Sequence, residues 1–120
     1  MNYKRGDVVI VPFPFMTASG SSQKARPALI ISDHTITRRF NDVILLGITS
    51  QISGQISETE LLLEENSFSF KKTGLAKTSL LRSEYVMTIP SNLISRKLGG
   101  FSDSLMLEVD KCIKQSIGLH

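Results

Sequence analysis

The sequence predicts an α+β protein that is mainly β: a small curled sheet or barrel with short helices, covered by a C-terminal amphipathic helix. Short apolar runs, separated by Gly, Pro and small polar residues, recur through most of the chain, as successive strands and turns do. Little of that stretch has a helical period. Only near the end does the pattern change to an apolar stripe repeating every three to four residues.

The elements follow in order. Val8-Val9-Ile10-Val11 is a β-branched run behind a Gly6-Asp7 turn, and it is expected to end at Pro12. Thr17 to Lys24 is small, polar and Gly-containing, which reads as a flexible loop. Pro27 then opens a second strand, Ala28 to Ser32, at a position where no ladder donor is needed. Asp42 to Ser50 is a third strand, nearly all apolar and so expected to be buried on both faces, ending in hydroxyls. Glu58 to Leu63 is a fourth, Glu64-Glu65-Asn66 a turn, and Gly74 to Arg82 and Glu84 to Pro90 supply one or two more. Ser91 is placed to cap a short helix carrying Leu93, Ile94 and Leu98 and closed by Gly99-Gly100. Ser102-Asp103-Ser104 begins the final helix, with Leu105, Val109, Cys112, Ile113 and Ile117 on one stripe and Gly118 as its stop.

A chain of 120 residues suffices for one core. It carries no repeat or linker, so a single domain over residues 1–120 is expected. The formal charge of +3, from 14 basic and 11 acidic side chains, is compatible with a polyanionic partner and also with an ordinary solvated surface. Cys112 is the only cysteine, which excludes an internal disulfide and suits a small buried hydrophobe. His34 and His120 have no metal-ligand spacing, so neither metal nor cofactor is expected. The apolar stretch from Val8 to Phe15 is too short to span a membrane, is broken by Pro12 and Pro14, and is followed by no cleavage site. These features imply a cytoplasmic protein without a membrane partner.

Three segments put polar groups at the edge of an apolar strand: Lys24-Ala25-Arg26-Pro27, Thr49-Ser50, and Lys77-Thr78-Ser79 after Thr73-Gly74. An arginine at the junction of loop and strand is rigidly held yet faces outward, and its planar guanidinium suits a phosphate. Each segment is equally what a strand becomes where it meets water. His34 lies in a polar loop without an evident carboxylate partner, and Glu58, Glu60, Glu64 and Glu65 read as solvated acids.

In sequence, Lys4 to Val11, Lys24 to Ser32, Ile48-Thr49-Ser50, Thr73 to Lys77, Met87-Thr88-Ile89 and Leu98-Gly99 together resemble the successive signatures of the PemK/MazF family of type II toxin–antitoxin endoribonucleases. The resemblance covers nearly the whole chain. It implies an SH3-like barrel that pairs as a homodimer, and metal-independent cleavage of single-stranded RNA to 2′,3′-cyclic phosphate and 5′-hydroxyl ends. It further implies Arg26 and Thr49 as catalytic residues, with Ser50, Lys24, Lys77 and Ser79 binding RNA or supporting them. The segment from Met16 to Lys24 matches one that lies over RNA and rearranges when a cognate antitoxin binds. Some members carry a basic-x-acidic arrangement where this chain has Lys77-Thr78-Ser79, so that Ser79 stands at the acidic position. The competing reading is a catalytically weak or inactive small-barrel module that binds nucleic acid or a partner protein.

Overall fold

The structure is a computed structural model and describes residues 2–17 and 20–119. Six strands form one antiparallel sheet: β1 (Asp7–Thr17), β2 (Gly20–Ile30), β3 (Asp42–Thr49), β4 (Glu60–Leu63), β5 (Ser79–Pro90) and β6 (Arg96–Gly100), in the order β4-β5-β3-β2-β1-β6. Two helices accompany it, the one-turn α1 (Phe70–Thr73) and α2 (Asp103–Ile117).

β1 does not end at Pro12. It continues through Pro12 and Pro14, which pair with Ala25 and Gln23. Backbone polar groups of alternate residues point to alternate sides of a strand. The Ile10 carbonyl accepts the Ser95 N–H, so Ile10, Pro12 and Pro14 present their backbone groups toward the β6 side. β6 covers β1 only from Asp7 to Ile10. Both prolines therefore lack a donor where none is wanted, and the strand tolerates them. For the same reason most of the expected flexible loop is strand: Gly20 to Lys24 belong to β2, and only residues 18 and 19 of it lie outside the described residues.

β3 is buried on both faces, as its composition requires. Leu46 and Ile48 join Val8, Leu29, Leu81 and Val109 in one cluster; Val43 and Leu45 join Val9, Val11, Ala28 and Ile30 in another. The segment from Glu84 to Pro90 forms one strand with Ser79 to Ser83, while Gly74 to Thr78 stays outside it. Between the pairs Gly47↔Arg82 and Leu46↔Val86 the residues Ser83, Glu84 and Tyr85 have no partner on β3. This bulge bends the sheet. The Ser83 hydroxyl, 2.6 Å from the Thr59 carbonyl and 3.1 Å from that of Cys112, ties the bend to α2.

Near the C-terminus one expected helix is absent. Ser91–Leu93 forms a single 3₁₀ turn behind Pro90, and the residues after it form β6. Local capping signals lose here to pairing with β1, in which Leu98 is skipped between Gly99↔Val8 and Lys97↔Val9 and turns into the first cluster. α2 matches its expected bounds. Ser102 accepts the Leu105 N–H, Gly118 closes the helix at φ 75°, and Val109 and Cys112 are buried. Ile117, however, at the end of the stripe, is 59% exposed. Burial pushes the Cys112 thiol up, with Glu108 adding to the shift, so the thiol is an inert filler.

Two close approaches fix the far wall. A Cβ on Gly99 would lie 2.3 Å from the Lys72 carbonyl oxygen, and one on Gly74 (φ 75°) would lie 2.2 Å from that of Leu98. The backbone leaving α1 thus packs directly on β6. Gly99→Ala is expected to destabilise the protein by about 1–3 kcal/mol through overpacking, read as a lower denaturation midpoint.

Asp7, 2% exposed, closes the turn at the start of β1 by accepting the Lys4 N–H and both the Lys4 and Lys97 ammonium groups. Burial opposes ionisation of this carboxyl, but the Lys4 N–H and the two ammonium groups outweigh it and hold it below the ordinary aspartate range. A carboxyl depressed in the folded state stabilises above its unfolded value, and the gain is lost as pH falls through the folded value. The contribution of Asp7 should be complete above its unfolded value, about 4, and be lost as pH falls through the lower folded value. Asp7→Asn is expected to lower stability at pH 7 by about 1–3 kcal/mol and to weaken the acid-side decline, as measured by urea denaturation at pH 7 and pH 3.

Candidate active site

The structure brings Lys24, Arg26, Thr49, Ser50, Lys77 and Ser79 to one cleft of about 420 Å³ at the end of the sheet. The opening arises from the pairing of β2 with β3. Their ladder runs Ile30↔Leu45, Leu29↔Leu46, Ala28↔Gly47 and stops. The Ile31 N–H donates to the Ile44 carbonyl, so the odd-numbered residues of β2 present their backbone groups to β3. The next donor in that series would come from position 27, which is proline. Pro27 is thus interior to β2, opposite Ile10 of β1, and removes the N–H that would bind β3 beside Ile48. With that rung missing the strands part. Continuing the same register two residues would set Thr49 opposite Arg26, so the residues flanking the gap are those two.

Alternation sorts the lining by face. Arg26 is paired with Val11 and shares the face of Val9 and Ala28; Thr49 has the parity of Leu45 on that same face. Ile10, Pro27 and Ile48 have the parity of the first cluster. The cleft draws on both faces where β2 and β3 part. Ser50, just past the end of β3, lines it beside Thr49.

The hydroxyls are held in specific ways. Thr49 Oγ1 accepts the Gln51 N–H at 3.0 Å, which fixes the oxygen and leaves its own proton to donate. Ser79, 4% exposed, spends its proton on the Lys77 carbonyl at 2.8 Å, so it braces the Lys77 loop. Thr78 turns away to the Glu65 backbone. The loop from Gly74 to Lys77 lines the cleft directly above its contact with β6.

No carboxylate lines the cleft. Of the four acids expected to be solvated, Glu58 and Glu64 are exposed, while Glu60 pairs with Arg82 at 3.1 Å and Glu65 accepts the Thr78 N–H. His34 is bonded to Ser32 Oγ at 2.6 Å in a separate cavity of about 720 Å³ beyond the other end of β2. Among the described residues no three His, Cys, Asp or Glu side chains are grouped to hold a metal ion.

One lining residue escaped the sequence reading. Arg96, exposed on β6 and paired with Ile10, faces the same cleft. Treating residues 91–98 as helix hid it. The available signal was the strand-like Arg96-Lys97-Leu98 ahead of two glycines, which only pairing with β1 makes legible.

A cleft lined by four basic side chains and several hydroxyls, with no acid among its described lining residues, suits an extended polyanion. The sequence matches, over residues 4–117, the PemK-like, MazF-like toxin family of type II toxin–antitoxin systems, and the chain belongs to that family. It is 31% identical over 118 residues to the Endoribonuclease MazF of Staphylococcus saprophyticus subsp. saprophyticus and, equally, to that of Staphylococcus epidermidis, covering 98% of this chain and 92% of each relative. The fold agrees with an endoribonuclease in complex with its cognate antitoxin from a mycobacterial species (TM-score 0.72, 17% identity, 99% of this chain and 98% of that one). It also agrees with the Mycobacterium tuberculosis toxin MazF-mt6 (TM-score 0.67, 21% identity, 93% and 98%) and the MazE–MazF complex of Deinococcus radiodurans (TM-score 0.68, 16% identity, 99% and 100%). The mainly β fold expected from the sequence, a small curled sheet with a C-terminal helix, is therefore present, as a half-barrel sheet with two helices.

Pro27→Ala restores the missing donor. The rung to Ile48 should close, so that the new amide exchanges slowly with solvent, while net stability shifts by no more than about 1 kcal/mol, because the unfolded chain also gains freedom. An amide at position 27 exchanging as fast as free peptide would show that the gap has another cause.

Proposed function

We propose that this chain is the endoribonuclease toxin of a type II toxin–antitoxin pair, one domain over residues 1–120, acting on single-stranded RNA without a metal ion. The observation that carries the reading is the convergence of Arg26 and Thr49 across the gap that Pro27 opens, in a cleft free of carboxylates.

In the reaction the ribose 2′-oxygen attacks the adjacent phosphorus and loses its proton, and the bond from phosphorus to the 5′-oxygen breaks. The products are a 2′,3′-cyclic phosphate and, once the leaving oxygen is protonated, a 5′-hydroxyl. Negative charge builds on the non-bridging oxygens. Arg26 donates to them as a planar fork, while Thr49, its oxygen anchored by the Gln51 N–H, donates its proton to the same group. Lys24, Lys77 and Ser50 hold the neighbouring chain, and Ser79 supports them by fixing the Lys77 carbonyl. A single-stranded substrate follows from the need to splay bases away from the backbone.

The partners proposed with this activity are a cognate antitoxin that blocks the cleft and a second copy of the chain. Two relatives of the fold, from a mycobacterial species and from Deinococcus radiodurans, are seen with their antitoxins. No helix among the described residues is long and apolar enough to cross a membrane, and we place the protein in the cytoplasm, where its RNA substrate is.

Purified protein incubated with a long unstructured RNA in EDTA should cleave it to cyclic-phosphate ends. Arg26→Ala and Thr49→Val should each lower the rate by roughly 10²–10³ with the fold retained. Intact RNA with binding retained would instead leave the chain as a binding module.

A further inference from the structure

Arg96 is not among the residues that family resemblance marks, and its geometry differs from that of Arg26. It lies on β6, opposite Ile10, and β6 is separated from β2 by β1. The Arg26 and Arg96 backbones are thus two strand spacings, about 10 Å, apart. Ile10 is paired with both Pro27 and Arg96, whereas Arg26 is paired with Val11. Paired residues share a face and neighbours alternate, so the two arginines leave the sheet on opposite faces although both line the cleft. Backbones so placed suit the two guanidinium groups to neighbouring phosphates.

Several cations elsewhere on the molecule are committed to carboxylates. Lys97 is bound to Asp7 at 3.2 Å, Arg82 to Glu60 at 3.1 Å and Arg38 to Asp42 at 2.8 Å. Arg96 is exposed and pairs with no carboxylate among the described residues, and the cleft it lines contains none. An arginine kept clear of acids beside a site for a polyanion is poised for a second anionic group.

We propose that Arg96 forms a subsite for the backbone phosphate of a nucleotide flanking the scissile one, so that bound RNA runs along the cleft from Arg26 and Thr49 to β6. This rests on the endoribonuclease reading of the cleft. Arg96 grips the ground state and the transition state alike, so it contributes to substrate affinity and leaves the chemical step untouched.

The test separates binding from cleavage. A single-stranded oligonucleotide with a 2′-deoxyribose at the scissile position cannot react, and its binding to the full-length protein is followed by fluorescence anisotropy. Arg96→Ala should weaken binding about tenfold and reduce the slope of log affinity against log salt by about 0.7, as expected for one lost phosphate contact to a single strand. Arg96→Lys should keep most of that slope. Neutralising backbone phosphates one at a time as methylphosphonates should reveal one flanking position whose loss equals that of Arg96→Ala and does not add to it. With cleavable RNA the variant should raise KM and keep kcat within about twofold. Additive losses at every position, an unchanged salt slope, or a fall in kcat at constant KM would each overturn the subsite. If the wild type binds the unreactive RNA but leaves the cleavable one intact, the nuclease reading fails while the phosphate contact is still judged by the anisotropy. If it binds no RNA, both fail.

Discussion

The site depends on one missing hydrogen bond. β2 and β3 are central strands, covered by apolar clusters on both faces, and nothing in their side chains would separate them. Their ladder ends because the residue due to donate next is proline, and a proline in that orientation is otherwise excluded from a sheet interior. The consequence is local. β2 still pairs with β1 through Pro27 and Arg26, so the strand carrying the arginine stays rigid while its other side opens. A guanidinium on a paired strand facing a gap is preorganised in a way that one on a loop is not.

The opposite wall is built by sterics instead of hydrogen bonding. Gly74 and Gly99 let the chain leaving α1 lie on β6 with no side chain between them. That crossing sets the height of the 74–77 loop above the sheet, and Ser79 then fixes its end by binding the Lys77 carbonyl. It also brings β6, and therefore Arg96, to the edge of the same cleft. The asymmetry between the walls is informative. One carries an arginine and a threonine on paired strands; the other carries a lysine on a short braced loop, suited to holding a chain loosely.

Much of this was legible in the sequence, for physical reasons that differ by element. β3 declared itself through a continuous apolar run, and α2 through period, cap and stop, all of which are local signals. Arg26 and Thr49 were visible as polar residues at strand ends, but their sharing of a cleft is a matter of register, which no local pattern encodes. The prolines of β1 misled because their effect depends on which side of the strand lacks a neighbour, and that is set by where β6 stops. Residues 91–98 misled for a related reason: capping residues and glycines favour a helix locally, while partners some 85 positions away make a strand. Arg96 was lost with that element. What sequence hides here is pairing between distant segments, and both the gap at Pro27 and the second arginine are products of it.

The placement of charge explains why so polar a cleft is compatible with a stable fold. Among the described residues the one deeply buried charge, on Asp7, is satisfied by three donors at the base of β1. In the cleft, Lys24, Lys77 and Arg96 are exposed to high-dielectric solvent, so gathering like charges there costs little. Their value appears only when a polyanion excludes that solvent and the same charges act at a lower effective dielectric. On the proposed reading, an anionic chain that engages both Arg26 and Arg96, which emerge from opposite faces, bends within the cleft. A flexible single strand can follow such a path and a stiff duplex cannot. The two pairings, Val11 with Arg26 and Ile10 with Arg96, would then favour a single strand before any base is read.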